Sequence, residues 1–276
     1  MVITGATSGI GRVAAETLAA MGARLVLVAR DRKRGEKALA RVSKCGPGIA
    51  HGIHYADLSR IAEMKRVGAE IAAAEPRVDV LINNAGSLFF ARRVTEDGLE
   101  RTFATNHMAY FVLTHYLRER LMEAAPARVV NTASDAHKGE KLDFADLQMT
   151  NDYGFRSAYS RSKLANILFT RELARKLAGT GVTANCLHPG FVSTGLGQRD
   201  NGWLALAVRL VMVLRAKPAE TGAETIVYLA SAPDVADVSG QYFYDCRPAV
   251  PTAEARDGDS ARRLWAESLR LAGISE

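Results

Sequence analysis

The stretch Thr4-Gly5-Ala6-Thr7-Ser8-Gly9-Ile10-Gly11 decides how the rest of the chain is read. It follows a short apolar run, Val2 to Thr4, and opens an amphipathic pattern that continues to Met21. Three glycines in that setting permit a tight turn and a close backbone approach. The free N–H groups and the dipole of the helix that follows favour an anionic group such as a pyrophosphate. Glycine clusters also make ordinary turns, so the meaning of this one depends on its surroundings.

Outward from the turn, short β-branched apolar runs alternate with amphipathic patterns, the signature of a parallel sheet covered by helices. The runs that read as strands are Val2 to Thr4, Arg24 to Ala29, Gly48 to Tyr55, Val78 to Ile82, Arg128 to Thr132, Val182 to Leu187 and Gln241 to Tyr244. Helical patterns fill the intervals near Gly11 to Met21, Asp31 to Lys44, Ile61 to Ala74, Leu99 to Ala124, Ala158 to Ala178, Glu220 to Leu229 and Ser260 to Leu271. The expectation is an α/β fold whose sheet has about seven mainly parallel strands. With no repeat, low-complexity tract or Gly/Ser-rich linker in 276 residues, a single domain over 1–276 is expected. The first strand is odd, because only Val2 to Thr4 precede the glycine turn, where strands usually run about five or six residues. A start assigned too late, or a trimmed chain, would explain it by removing residues upstream of Met1.

Composition narrows the classes. At 48% hydrophobic and 24% charged residues the chain is of globular type, which excludes disordered and collagen-like readings. Cys45, Cys186 and Cys246 are odd in number and form no C-x-x-C pair. Neither a disulfide framework nor a metal site is expected, and a reducing, cytoplasmic compartment fits. Lysine and arginine total 36 against 30 acidic residues, a net charge of +6. The basic residues are scattered over helical patterns beside acidic ones, as in Arg171-Glu172, so no nucleic-acid surface is expected. No membrane span is expected either, since no apolar stretch reaches roughly 18 to 20 residues. Trp203 to Leu214 comes nearest; interrupted by Arg209, it reads as a helix that is buried, lies on a membrane or closes over a pocket.

The densest basic run, Arg30-Asp31-Arg32-Lys33-Arg34, sits where the second strand ends. In dinucleotide-binding βαβ units an acidic residue at that point bonds the adenosine ribose, whereas an arginine accommodates a 2′-phosphate. Ala29 followed by Arg30 therefore favours NADP(H) over NAD(H), with Arg32 or Lys33 as added charge. Asp31 would weaken or invert that preference if it faced the ribose instead. Asp57 after the third strand, and Asn83-Asn84-Ala85-Gly86 after the fourth, lie where open α/β sheets bind ligands. Each is also a common turn former.

A second constellation carries chemistry. Tyr159 and Lys163 are spaced i, i+4 in a helical pattern, which puts phenol and ammonium on one face. A neighbouring cation stabilises a phenolate and lowers its pKa from about 10, making the tyrosine a usable acid or base. Two surface residues would show the same spacing by chance. Ser134 ends the fifth strand region, where its hydroxyl would meet a substrate oxygen. Asn106, in Thr102-Phe103-Ala104-Thr105-Asn106-His107, would hold a water or a backbone group, or cap a local bend.

Taken in order, Thr4 to Gly11, Asp57, Asn83 to Gly86, Asn106, Ser134, Tyr159, Lys163 and Pro189-Gly190 with Thr194 resemble the short-chain dehydrogenase/reductase superfamily over essentially the whole chain. Within it the chain looks most like the retinol dehydrogenase group, which includes the oxidoreductase domain of the WW-domain-containing oxidoreductase. The resembling stretches are Asp97 to Glu100 leading to Asn106-His107, Asp143-Phe144 with Asp146-Leu147, Ser162 to Phe169, His188 to Gly190 and Gly240 to Phe243. The resemblance implies a Rossmann-type, doubly wound sheet and hydride transfer between a nicotinamide and a carbonyl or carbinol carbon. It implies Tyr159 as general acid/base, Lys163 lowering its pKa and holding the nicotinamide ribose, Ser134 orienting the carbonyl, and Asn106 anchoring a proton-relay water. It further implies cofactor contacts at Gly5, Thr7, Ser8, Gly9, Ile10, Gly11, Arg30, Asp57, Leu58, Asn83, Ala85, Gly86, Tyr159, Lys163, Pro189, Gly190, Val192 and Thr194. A dimer or tetramer is also implied.

Two departures stand out. The first strand is shorter than the family's, and Ala133-Ser134 replaces a frequent Ser-Ser pair. Many animal members of the group carry an N-terminal membrane anchor that this sequence does not show, so membrane residence and retinoid use do not carry over. The substrate is expected to be an apolar aldehyde, ketone or alcohol, taken up between Ala136 to Arg156 and a helical segment around 191–216, with Phe155, Phe191, Leu196, Trp203 and Leu206 as candidate walls. An ene reductase with the same tyrosine, and a dinucleotide-sensing regulator without catalysis, are the rival readings.

Overall fold

The computed structural model describes residues 1–191 and 218–275. Its strands are β1 (Val2–Thr4), β2 (Val26–Ala29), β3 (Gly52–Tyr55), β4 (Val80–Asn83), β5 (Ala127–Thr132), β6 (Val182–His188), β7 (Tyr242–Tyr244) and β8 (Arg247–Ala249). Among the described residues they form one sheet in the order β3-β2-β1-β4-β5-β6-β7-β8. Every neighbouring pair is parallel except β7 with β8. The chain steps outward from β1 through β2 to β3, then returns to the other side of β1 at β4 and steps outward again. That reversal opens a crevice beyond the carboxyl ends of β1 and β4.

The helices are α1 (Gly9–Ala20), α2 (Arg32–Cys45), α3 (Ile61–Ala74), α4 (Arg101–Phe103), α5 (Ala109–Glu123), α6 (Phe155–Lys176), α7 (Ala219–Ser231) and α8 (Gly258–Ala272). They cover both faces of the sheet, because successive side chains of a strand point to opposite sides. Val26 and Val28 join the core under α3, α5, α6 and α8, whereas Leu25 and Leu27 join the core under α1, α2 and α7. Burial of each such side chain stabilises the fold by roughly 1.5–3 kcal/mol. The central strand β1 is short, yet it pairs on both sides, with Val2, Ile3 and Thr4 all buried.

Three differences from the sequence reading have physical causes. The expected helix from Leu99 to Ala124 is subdivided: the Glu100 carboxylate caps α4 by accepting from Thr102 and Phe103 N–H, and Ala104–Met108 form a π turn before α5. A π turn shifts the helical phase by one residue, but Asn106 to Leu113 are all buried, so no alternation of polar and apolar faces records the shift. Helix α6 starts at Phe155, one turn before the expected Ala158. An eighth strand, β8, joins the sheet edge through a two-residue turn at Asp245 and Cys246, with φ of 52° and 58°. Asn-Gly or Asp-Gly usually signals such a turn, and Asp-Cys with Pro248 in the following strand hides it, proline being tolerated at an edge.

Candidate active site

The crevice is a cleft of about 510 Å³ running from the α1 turn to the start of α6. At one end lie Gly5, Thr7, Ser8, Gly9, Ile10 and Gly11. A Cβ on Gly5, whose φ is 73°, would lie 2.8 Å from Ala85 Cα, and one on Gly11 would lie 2.2 Å from Asn84 Nδ2 and 2.5 Å from the Gly5 carbonyl. Thr4 Oγ1 completes the join between strands by accepting from Asn84 and Ala85 N–H, each at 2.9 Å. The first turn of α1 is left open, because Ser8 occupies its N-cap without a side-chain capping bond. Free N–H groups and the helix dipole therefore face the cleft.

The basic run divides its labour. Arg30 and Arg34 line the cleft, and among the described residues neither enters an ion pair. Arg32 turns away and stacks over the Tyr55 ring at 4.6 Å. Asp31 accepts from Arg34 N–H at 2.8 Å as the cap of α2, so its carboxylate is committed to the helix start. Arg34, and not the expected Arg32 or Lys33, joins Arg30 at the cleft. Asp57 and Leu58 also line it, with Asp57 Oδ1 accepting from Ser59 N–H and Oγ.

Asn83 is placed differently from its neighbours. It is fully buried, donating through Nδ2 to Thr114 and Asn131, and the cleft is lined instead by Asn84, Ala85 and Gly86. Asn83 still belongs to β4, where its side chain points into the sheet packing. Asn84, one residue further, escapes that alternation.

At the other end the cleft is lined by Thr132 and Ser134 from the end of β5, Tyr159 and Lys163 from α6, and Pro189, Gly190 and Phe191 after β6. Lys163 is 3% exposed and donates from Nζ to the Thr132 carbonyl at 2.9 Å. Its ammonium lies 5.6 Å from the centre of the Tyr159 ring and 5.9 Å from that of Tyr110. Burial drops Lys163 to about 7. Burial also pushes Tyr159 up to about 12, opposed by a hydrogen bond with Ser134. The expectation that Lys163 lowers the Tyr159 pKa therefore meets a larger opposing effect in this chain, desolvation of the phenolate.

Asn106 lies in the π turn beneath the cleft and does not line it. Its Oδ1 accepts from Ser87 N–H at 2.7 Å, and its Nδ2 donates to the Ser87 carbonyl and to Ser162 Oγ at 3.0 Å each. The side chain is fully engaged, and the backbone carbonyl accepts from Asn166 Nδ2 at 2.9 Å. Phe155 packs against Phe90 at 5.0 Å, and Phe89 and Phe90 line the reacting end, an apolar wall the sequence reading did not name. Val192, Thr194, Leu196, Trp203 and Leu206 lie outside the described residues.

A family model described as short chain dehydrogenase matches residues 1–205. The chain belongs to that family. Human retinol dehydrogenase 13 is 40% identical over 99% of this chain and 84% of that protein. Mouse retinol dehydrogenase 14 is 42% identical over 99% of this chain and 86% of that protein. Among solved structures, an uncharacterised protein from Mycobacterium paratuberculosis is 32% identical with a TM-score of 0.78, covering 99% of this chain and 93% of that one. An actinorhodin polyketide ketoreductase crystallised with NADPH is 25% identical with a TM-score of 0.69, covering 88% of this chain and 93% of that one. This short-chain dehydrogenase/reductase is thus an NAD(P)-dependent oxidoreductase of retinol dehydrogenase-like type acting on a small molecule, with the single, mainly parallel sheet its sequence anticipates. Among the described residues no helix is long and apolar enough to cross a membrane, and no metal-binding cluster of His, Cys, Asp and Glu is found.

Proposed function

We propose that this oxidoreductase moves a hydride between NADP(H) and the carbonyl or carbinol carbon of an apolar aldehyde, ketone or alcohol, with Tyr159 as general acid/base. The observation that carries the reading is the half-buried Tyr159 beside the buried Lys163 at the apolar end of a cleft whose other end is an open helix start. The residues fit a dinucleotide. The α1 turn suits a pyrophosphate, and the guanidiniums of Arg30 and Arg34, without an ion pair among the described residues, suit a 2′-phosphate. Asp57, Leu58, Ala85 and Gly86 would contact the adenosine side, and Lys163, Pro189 and Gly190 the nicotinamide side. When bound, the cofactor supplies or accepts the hydride.

The chain's own groups do the rest. Tyr159, held protonated through neutral pH by its burial, donates its phenolic proton to a carbonyl oxygen as that oxygen gains negative charge. Ser134 orients the same oxygen by hydrogen bonding. Lys163 provides a positive charge that favours the phenolate once the proton has left, and Asn106 supports the floor beneath it through Ser87 and Ser162. Phe89, Phe90 and Phe191 exclude water from an apolar substrate body. In the oxidation direction the phenol must be ionised, so alcohol turnover should rise with pH well beyond 8, while carbonyl reduction should not.

A panel of aldehydes, ketones and alcohols followed by NADPH absorbance, with NADH alongside, tests the assignment. Tyr159→Phe is expected to lose at least about a hundredfold in kcat. Full activity in that variant would remove the tyrosine from its role, and reduction of a conjugated double bond with carbonyls left untouched would favour the ene reductase reading.

A further inference from the structure

A second polar column lies under the reacting residues. Asn166, three residues beyond Lys163 on α6, is fully buried. Its Nδ2 donates to the Asn106 carbonyl at 2.9 Å and to the Thr132 carbonyl at 3.4 Å. The Thr132 carbonyl is also the acceptor of Lys163 Nζ. One amide group thus ties the π turn to the end of β5 and shares with the lysine the oxygen that aims it. Turning the amide over would set its oxygen against two carbonyls, so its orientation follows from its partners.

The far side of that amide meets His107. Asn166 Oδ1 and His107 Nδ1 are both buried, and neither meets a hydrogen-bond partner at ordinary geometry. Burial drops His107 to about 4, while Asn166 acts on it in the opposite direction as a hydrogen-bonding neighbour. The imidazole is therefore neutral at pH 7 and carries one N–H. Its Nε2 is 2.9 Å from Ser268 Oγ on α8. Ser268 has a single hydroxyl proton, directed either to the Leu264 carbonyl at 2.7 Å or to that Nε2.

If the proton goes to Leu264, Nε2 must be the donor, and a bare Nδ1 is left facing Oδ1, two acceptors in a buried aromatic pocket walled by Phe103 and Phe169. If it goes to Nε2, the Nδ1–H donates to Oδ1 and every member of the column is satisfied. The Leu264 carbonyl remains within the backbone ladder of α8.

We propose that Asn166 is a positioning residue for Lys163, held in orientation by an Nδ1–H tautomer of His107 that Ser268 secures from α8. The proposal rests on the reading of Lys163 as the cation beneath Tyr159. Tyr159 and Tyr110 flank that lysine, and among the described residues no carboxylate acts on it.

Nitrogen-15 spectra of the histidine-labelled whole protein read the tautomer without any turnover, so failure of the column is distinguishable from failure of the oxidoreductase chemistry. The expected result is a proton on His107 Nδ1 from about pH 5.5 to 8.5. A proton on Nε2 overturns the proposal. In Asn166→Ala the Thr132 carbonyl is left to Lys163 alone, which strengthens the ammonium. The midpoint of the kcat profile that reports the lysine should then move up by about one pH unit. An unmoved midpoint accompanied only by a lower Tm makes Asn166 a packing residue and overturns its positioning role.

Discussion

The two ends of the cleft are built by different means. The nucleotide end is made of near-consecutive residues, Thr4 to Gly11 and Arg30 to Arg34, and its working groups are backbone N–H and exposed guanidinium. The reacting end gathers buried side chains from β5, α6 and the π turn, separated by tens of residues in sequence. At the first end the controlling quantity is space, since two glycines leave no room for a Cβ. At the second it is desolvation, which moves Lys163 and Tyr159 in opposite directions and makes each partner count.

The sharpest way to break this contrast is Gly11→Ala. Its methyl group would press on Asn84 Nδ2 and the Gly5 carbonyl at less than contact distance. We expect cofactor affinity to fall by about a hundredfold, because displacement of the turn by about 1 Å misaligns every N–H at once. Fluorescence titration with NADPH measures it, and near-normal affinity would show that space does not control that end. A smaller effect is expected from the double variant Arg30→Ala/Arg34→Ala, with the NADPH KM rising about 10- to 100-fold, because both guanidiniums are exposed and solvent screening leaves their charge-assisted bonds worth roughly 1.5–3 kcal/mol together. The NADH KM should stay within about twofold. Equal loss with both cofactors would mean that the arginines support the fold and not the 2′-phosphate.

At the reacting end the change that sharpens the comparison is one of stability, a few degrees in Tm, and of the opposite sign. Burial drops Lys163 to about 7, well below the 10.5 of a lysine in water. The unfolded chain therefore binds more protons between those values, and stability rises with pH across that window. Below it the buried ammonium opposes folding in full. Lys163→Met should remove that penalty, raising stability at pH 7 by about 1–3 kcal/mol, or a few degrees in Tm, while abolishing activity. The gain should shrink as pH climbs toward 10. Thermal melts of both proteins from neutral to alkaline pH check the sign, and a destabilised variant at pH 7 would mean that the bond to Thr132 outweighs the desolvation.

Much of this was legible in the linear chain. The glycine turn, the strand-end Arg30, and the Tyr159/Lys163 spacing rely on local chain geometry, and all of them meet in the cleft. An Asn-Asn pair does not say which side chain faces the cleft; in the structure the Asn83 side chain joins the sheet packing and Asn84 lines the cleft. Arg34 and Arg32 exchanged parts because the Asp31 cap sets where α2 begins and hence which side each guanidinium takes. The π turn left no mark on the sequence because the residues around it, Asn106 to Leu113, are buried on every side, and a shift of phase by one residue changes no polar face there.

The amino-acid order by itself determined the α/β alternation, the anion-accepting helix start and the pairing of phenol with ammonium on one helical face. These are set by periods of 2 and 3.6 residues and by the freedom of glycine, all short-range properties. Only the tertiary structure decided the depth at which Tyr159 and Lys163 lie, and with it the direction in which each pKa moves. It alone brought Asn166, His107 and Ser268 from three helical segments into one column. Burial and long-range hydrogen bonding depend on which distant segments share a face, and no local pattern encodes that.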